Sequence, residues 1–157
     1  FVVADLTEVK TYLEQAKIPI RLACTTRSGW PVAVSLWFKH QNGSLFCATQ
    51  KSARVVTYLK NNPRCAFEIA ADLPPYCGVR GQAVAQIDES IGSEILEQLL
   101  VRYLGGVDSK LAQSLIAKSE NEVAIILKPV KIYTWDFSSR MQDIILPKLD
   151  FDDRVCP

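Results

Sequence analysis

The sequence predicts a mainly β (α+β) fold, a small antiparallel barrel of about six or seven strands with flanking helices. The first observation is a series of short apolar runs, rich in Val, Ile and Phe, that are separated by turn signals. The second is that only a few segments have the spacing of an amphipathic helix. The third is the length of 157 residues, which is enough for one core without staples. We therefore expect a single domain over residues 1–157.

The first half of the chain reads as a helix, three strands, a second helix and a fourth strand. Helical spacing over residues 5–17 predicts the first helix, with Asp5 as N-cap and Pro19 as stop signal. The strands IPIRLACTT, PVAVSLWF and SLFCATQ are joined by the turns RSGW and HQNG. Asn-Gly in the second turn favours a tight hairpin. KSARVVTYLKNNP then predicts a short helix, and RCAFEIA another strand.

The strand PVAVSLWF has two largely apolar faces. One face carries Val32, Val34, Leu36 and Phe38, and the other carries Ala33, Ser35 and Trp37. A strand of this kind is typically covered on both faces. We expect the core to cover one face and a second surface to cover the other.

The second half predicts two further strands and two helices. Pro74-Pro75 marks a loop or sheet edge before a long strand over residues 76–87, in which Gly78 and Gly81 indicate a bulge or a close backbone approach. SEILEQLLVRYLGG predicts an amphipathic helix, and residues 109–118 another. VAIILKPVKIYTWDF predicts two strands, or one strand bent at Pro129. The tail over residues 138–157 has no clear period, although it could dock through Leu146, Leu149 and Phe151.

Composition excludes several classes of protein. Hydrophobic residues make up 48% and charged residues 22%, and the net charge is +1. This balance provides no overall basic surface for nucleic acid or an anionic membrane. No apolar run is long enough to span a membrane, and no signal peptide is visible. The chain begins at Phe1 instead of Met, so an N-terminal segment could precede the given sequence.

The cysteines are predicted to be packed thiols. Their number is odd, no C-x-x-C pair occurs, and most lie inside apolar runs, where a free thiol behaves as a small hydrophobe. They are Cys24, Cys47, Cys65, Cys77 and Cys156. The single histidine, His40, adjoins a turn and is expected to be exposed. No metal site is predicted, because suitable ligands do not cluster. The absence of a disulfide pattern favours a cytoplasmic location.

A polar hinge between the third strand and the second helix predicts an anion site. Gln50, Lys51 and Ser52 form this hinge, and Arg54 follows it. Backbone N–H groups at a helix start, a hydroxyl and two cations together suit a phosphate. The alternative interpretation is that the two cations are ordinary solvated charges beside a helix.

These pieces, in this order, resemble the FMN-binding split β-barrel superfamily of pyridoxamine 5′-phosphate oxidase. The resemblance is carried by PVAVSLWF, NGSLFCAT, the KSAR corner and the helix end YLKNNPRCAF. GVRGQAVAQI is similar to the next barrel strand and PVKIYTWDF to the last. The similarity covers most of residues 6–137.

The resemblance implies a homodimer with FMN in clefts between the subunits. Three groups of residues from one subunit would hold the cofactor: backbone and side chains along the ring edge, residues beside the ring, and a phosphate corner. A fourth group would approach from the partner subunit. The group along the ring edge is Val34, Ser35, Leu36 and Trp37, and the group beside the ring is Cys47, Ala48 and Thr49. The phosphate corner is Lys51, Ser52 and Arg54. The group from the partner subunit is Tyr76, Arg80 and Trp135.

Two features depart from the oxidase itself. Its corner resembles Ser-Arg-Lys, whereas this corner has a cation on each side of Ser52, so either cation could hold the phosphate. Its Arg-x-His substrate motif corresponds here to TWDFSSRM, which has no histidine. We therefore do not expect pyridoxamine phosphate oxidase activity. Arg140 in this region could pair with Asp136 or point at a ligand.

The resulting hypothesis is a small FMN-dependent oxidoreductase that acts on a small molecule. The alternatives are a deazaflavin or haem protein of the same barrel, and a flavin-binding protein without catalysis. No Ser-His-Asp triad or pair of carboxylates is visible, so the flavin itself would perform the redox chemistry. Trp37 could instead be a core residue, and Trp135 an interface residue without cofactor contact.

Overall fold

The computed structural model describes residues 6–143. The predicted N-cap Asp5, the docking residues of the tail and Cys156 lie outside this part of the chain. Within it, the α-helices are α1 (Leu6–Gln15), α2 (Arg54–Asn61), α3 (Gly92–Leu104) and α4 (Lys110–Ile116). The strands are β1 (Ile20–Thr25), β2 (Pro31–Leu36), β3 (Lys39–Gln41), β4 (Ser44–Gln50), β5 (Arg64–Ala70), β6 (Cys77–Asp88) and β7 (Glu122–Asp136).

All the strands belong to one antiparallel sheet of seven strands in the order β2-β1-β5-β6-β7-β4-β3. The two edge strands, β2 and β3, are joined only by Trp37 and Phe38. Because so short a link cannot cross a flat sheet, the sheet curls until its edges approach each other, and Phe38 is fully buried. The predicted mainly β (α+β) class is confirmed.

The turn chemistry sets the hairpins. Asn42 and Gly43 have φ values of 50° and 75°, as the predicted Asn-Gly turn requires. The predicted strand through Phe38 is too long, because β2 ends at Leu36 and β3 begins at Lys39. The polar run KHQ carries no strand signal of its own. It becomes a strand because the turn brings it into register with β4.

The two longest strands, β6 and β7, pair along most of their length. A register shift lies between Gln82 and Ala83, opposite the segment around Pro129. Of the two predicted alternatives, two strands or one strand bent at Pro129, the structure has the single strand β7 with an irregularity at this point. A side chain at Gly81 would meet the carbonyl of Lys131 and the ring of Phe67. The predicted close backbone approach is confirmed there.

The main core lies between the concave sheet and the helices α1 and α2. Val9, Tyr12 and Leu13 of α1 pack onto this core. The Tyr12 hydroxyl donates to the carbonyl of Ile69 at 3.2 Å, and burial, with a contribution from Glu68, raises the pKa of Tyr12 to about 12. Helix α3 buries its predicted stripe against β4 and β7 and ends at Gly105, whose φ of 75° is left-handed.

Two expectations about titratable side chains need correction. Cys24, Cys47 and Cys65 are free and buried, as predicted, but Cys77 is disulfide-bonded. His40 was expected to be exposed, yet its side chain is only 9% exposed, because α1 covers the short strand β3. Its Nδ1 lies 3.8 Å from Glu14, and burial lowers the pKa of His40.

None of the helices in the described range combines the length and apolar character that crossing a membrane would need. Residues 6–143 also contain no group of three or more His, Cys, Asp or Glu side chains placed to hold a metal ion.

Candidate cofactor site

A cavity of about 350 Å³ lies between the outer side of β4, the end of β2 and the helices α3 and α4. Its apolar wall comes from Pro19, Leu96, Leu99 and Leu115. The remaining lining residues are Ser35, Leu36, Trp37, Ala48, Thr49, Gln50 and Glu122. The cavity therefore brings together the predicted site residues Ser35, Leu36, Trp37, Ala48 and Thr49.

Trp37 is held in place by Tyr103 of α3. The two rings stack with centroids 5.1 Å apart and planes 8° from parallel. The Tyr103 hydroxyl donates to the Ile18 carbonyl at 3.1 Å and accepts from the Phe38 N–H at 3.2 Å. One face of the indole is thus used for packing on α3. Trp37 is both a packed residue and a wall of the cavity.

Two of the predicted residues turn their side chains elsewhere. Cys47 is fully buried in the main core, and burial raises the pKa of its thiol. Val34 is half-buried against the same core. Because side chains alternate along a strand, their neighbours Ser35 and Ala48 face the cavity. Only backbone groups of Cys47 and Val34 are placed to serve a ligand on that side.

The predicted phosphate corner directly follows the cavity along the chain. Lys51 and Ser52 form an exposed turn after β4, and Arg54 is the first residue of α2. The N-cap residue Ala53 is extended and caps the helix with no side chain. The Lys51 N–H donates to the Asn121 carbonyl at 2.7 Å, which ties the turn to the start of β7.

The two cations of the corner differ in their partners. The Lys51 ammonium lies 2.5 Å from Glu89, and Lys60 lies 2.8 Å from the other oxygen of the same carboxylate. These hydrogen bonds lower the pKa of Glu89 to about 2. The Arg54 guanidinium has no ion pair within residues 6–143. An incoming phosphate would therefore meet Arg54 directly and would compete with Glu89 for Lys51.

Tyr76, Arg80 and Trp135 lie at the other end of the sheet. Arg80 is 5.4 Å from the centre of the Trp135 ring, and the Tyr76 carbonyl accepts from the Phe137 N–H at 2.9 Å. Thr49 pairs with Val123 near the start of β7, whereas Trp135 pairs near its end. About twelve residues of strand separate the two points, roughly 40 Å of chain. The predicted residues thus form two groups within one chain.

The question left open for Arg140 is settled in part. Its guanidinium lies 5.5 Å from the centre of the Phe137 ring, and Asp136 accepts from the Ser138 N–H at 2.7 Å. No Arg140–Asp136 ion pair occurs in the described structure.

Sequence reasoning missed Glu122 and Tyr103 as site residues, and it placed Gln50 only in the polar hinge of the anion site. Glu122 is the first residue of β7 and is only 6% exposed. It is opposite Gln50 in the sheet, and the Gln50 amide donates to it. Burial raises the pKa of Glu122, and the bond from Gln50 opposes that rise. The available signal was weak: a single acidic residue in front of an apolar strand.

A larger depression of about 690 Å³ lies on another part of the sheet, between β1, β5 and β6. It contains none of the predicted site residues. Val84 and Val130 line it and are 42% and 65% exposed. Among the residues that line this depression, Arg64 is the only charged one. The smaller cavity, which carries the predicted residues, is the better candidate for the cofactor.

No protein-family model matches the chain, and no curated protein sequence matches it. Solved structures do match. A conserved hypothetical protein from Mycobacterium tuberculosis has a TM-score of 0.72 at 18% identity, over 98% of this chain and 96% of that one. An F420 reductase has a TM-score of 0.66 at 19% identity, over 77% and 93%. A candidate pyridoxamine 5′-phosphate oxidase from Listeria innocua has a TM-score of 0.63 at 22% identity, over 82% and 95%.

The matches also include the haem storage protein HutZ from Vibrio cholerae, with a TM-score of 0.62 at 17% identity over 82% of this chain and 92% of that one. The chain therefore shares its fold with these structures, and the split β-barrel fold that the resemblance predicted is confirmed. Identities at this level establish the shared fold alone. The names of the matched proteins span flavin-type and haem ligands.

Proposed function

We propose that this protein is an FMN-binding oxidoreductase that acts on a small molecule as a homodimer, with each cofactor held between the two subunits. The observation that carries the proposal is the continuity of the site along β4. Ala48 and Thr49 line an apolar cavity, and the residues that follow form a turn with Lys51 and Arg54 at an uncapped helix start. A planar ring and a phosphate on one ligand suit these two neighbouring environments.

The residues present fit FMN. Leucines and Trp37 would pack against a flat ring, and the hydroxyls of Ser35 and Thr49 could bond its polar edge. Lys51, Ser52 and Arg54 would hold the phosphate by charge-assisted hydrogen bonds. A bound flavin would supply hydride or electron transfer. The chain's own part is to position the ring and to exclude water from it.

The cavity suits haem less well than it suits FMN. A haem iron needs an axial ligand such as His, Cys, Met or Tyr. None of the described residues that line the cavity in the single chain is of these types, so a haem would need its axial ligand from the proposed second subunit. The single histidine, His40, is on β3 beside Glu14. Deazaflavin has no such requirement and is the main alternative, together with flavin binding without catalysis.

A second subunit would explain the division of the predicted residues. Tyr76, Arg80 and Trp135 lie near the far end of the β6–β7 pair, too far from Thr49 to reach the same ring within one chain. They could reach it from a partner. The outward face of β2 also supports this, because Ala33 and Ser35 on that face are exposed in the single chain. β2 is also an edge strand of the sheet, and an open strand edge commonly pairs with another surface.

The first experiment is a titration of apoprotein with FMN, followed by flavin fluorescence. The double variant Lys51→Ala/Arg54→Ala should bind FMN at least about tenfold more weakly, because each charge-assisted bond contributes roughly 1.5–3 kcal/mol. Arg27→Ala removes an exposed arginine from a distant hairpin and is the matched control. If FMN does not bind, or if the double variant binds it as well as the wild type does, the cofactor assignment is wrong. Parallel titrations with deazaflavin and haem rank the alternatives.

The second experiment tests the shared cleft. Sedimentation should show a dimer at micromolar concentration, and a monomer would contradict the proposal. Mixed dimers provide a sharper test. One subunit carries Lys51→Ala/Arg54→Ala and the other carries Arg80→Ala with Trp135→Ala. If the clefts are shared, each mixed dimer retains one intact cleft and binds one FMN tightly, whereas both parent homodimers bind weakly.

The third experiment tests catalysis. The FMN-loaded protein is reduced anaerobically with a nicotinamide cofactor, candidate acceptors are added, and reoxidation is followed by absorbance. Reoxidation that is faster than that of free reduced FMN supports an oxidoreductase. Bound flavin that no nicotinamide cofactor reduces and no acceptor reoxidises would favour binding without catalysis.

A further inference from the structure

Glu122 is the one charged residue that the described structure buries. It is 6% exposed, whereas the other charged side chains of residues 6–143 retain more contact with solvent. Removing a carboxyl group from water is unfavourable unless hydrogen bonds replace the lost water. A buried carboxyl group is therefore expected to have partners for both of its oxygens.

Only one of the two oxygens has a protein partner. The Gln50 side-chain amide donates to Oε1. Within residues 6–143, no donor reaches Oε2. Lys51, which follows Gln50, uses its backbone N–H for Asn121 and its ammonium for Glu89. The protein thus leaves Oε2 without a partner within residues 6–143, and because Oε2 is not among the fully buried unpaired atoms, a ligand in the cavity can reach it.

The unused oxygen belongs to a residue that lines the cofactor cavity. Among the lining residues described above, Glu122 is the only ionisable one. The other polar side chains there are the hydroxyls of Ser35 and Thr49, the amide of Gln50 and the indole N–H of Trp37, and leucines supply most of the apolar lining. A ligand in the cavity would therefore meet one strong hydrogen-bond acceptor on an otherwise mainly apolar surface.

We propose that Glu122 is a specificity-determining residue that accepts a hydrogen bond from an N–H group of the planar ring in this cavity. The inference rests on the proposed flavin function. Oxidised flavin has one N–H on its ring system, at N3, so N3–H is the donor that Glu122 can recognise. The same carboxyl group disfavours an anionic group in the cavity, and so directs the phosphate toward Lys51 and Arg54.

The test compares FMN with N3-methyl-FMN, which lacks this donor. Both are titrated into wild-type apoprotein and into Glu122→Met, which keeps the bulk of the side chain without its oxygens. The wild type should bind FMN at least about tenfold more tightly than the methylated analogue. Glu122→Met should lose most of this preference by weakening FMN binding alone. Glu120→Gln changes an exposed acid two positions earlier and should retain the wild-type preference.

The outcomes separate the two proposals. If the wild type binds neither flavin, the proposed function and this inference both fail. If it binds both equally well, Glu122 does not read N3–H, although FMN binding stands. If Glu122→Met keeps the wild-type preference, another residue reads the ring and the inference is wrong. Should Glu122→Met not fold, Glu122→Gln tests the same ratio, which must change from the wild-type value because the amide is a weaker acceptor than a carboxylate.

Discussion

Arg102 of α3 provides a prediction of stability that follows from its contacts with α1. Its guanidinium donates to the carbonyls of Glu14, Leu13 and Ala16 at 2.7, 3.1 and 2.5 Å. Carbonyls at a helix end lack partners within the helix, so these bonds close the end of α1. Water can replace the exposed bond to Glu14. The two part-buried bonds, at about 1.5 kcal/mol each, predict that Arg102→Met lowers the free energy of unfolding by about 3 kcal/mol.

Methionine is the appropriate replacement because the arginine also packs over Phe38 and Tyr103, at 5.4 and 5.8 Å from their ring centres. Met keeps apolar bulk there and removes the donors. Urea unfolding at one fixed protein concentration measures the loss of unfolding free energy. In thermal unfolding, the same loss should lower Tm by about 6–12 °C. Arg102→Lys should lose less, since one ammonium replaces part of the fork.

Arg27→Met is the control for removing an arginine, since Arg27 is exposed in a hairpin turn. It should change the free energy of unfolding by less than about 0.5 kcal/mol. If Arg102→Met also stays within about 0.5 kcal/mol of the wild type, then water replaces the guanidinium at the end of α1 and the reasoning is refuted.

Three further predictions concern the corner and the sheet. Glu89→Gln should strengthen FMN binding several-fold by releasing Lys51, and a titration that shows no gain would mean that the carboxylate does not compete with the phosphate. The folded pKa of Glu89 is lowered to about 2, so its contribution to stability is present above its unfolded pKa and is lost as pH falls toward 2. In urea unfolding, the free energies of unfolding of wild type and Glu89→Gln should therefore converge between about pH 5 and pH 2. Gly81→Ala should cost about 2 kcal/mol because its Cβ would meet Lys131 and Phe67, whereas Gly106→Ala, which has nothing within 4 Å, should be nearly neutral.

Local signals were sufficient for much of the fold. The Asn-Gly turn, the apolar stripe of α3 and the glycine approach on β6 each depend on residues close in sequence, and the structure confirms all three. The short strand β3 has no such signal. Its pairing depends on a turn and on the cover that α1 provides, so the burial of His40 could not be read from its neighbours.

Local signals predicted the candidate site where its residues are consecutive, and the family resemblance added Ser35, Leu36 and Trp37. The run from Ala48 to Arg54 joins a cavity wall to a cationic turn within a few residues, and this proximity is visible in the sequence. Glu122 enters the site through its pairing with Gln50 across β4 and β7, more than seventy residues along the chain. A pairing at that separation has no local signature. The same holds for Tyr103, which reaches Trp37 only through the packing of α3.

The exposure of β2 connects the cavity to the proposed assembly. The sequence predicted that both faces of this strand are covered, but in the single chain Ala33 and Ser35 remain exposed while Val34 packs toward the core. Ser35 is also a wall of the cavity, so whatever covers this face would also close the site. Two of the residues predicted to come from a partner, Arg80 of β6 and Trp135 of β7, lie at the far end of the β6–β7 pair. We infer that covering β2 and completing the site are one requirement, which a second copy of the chain can meet.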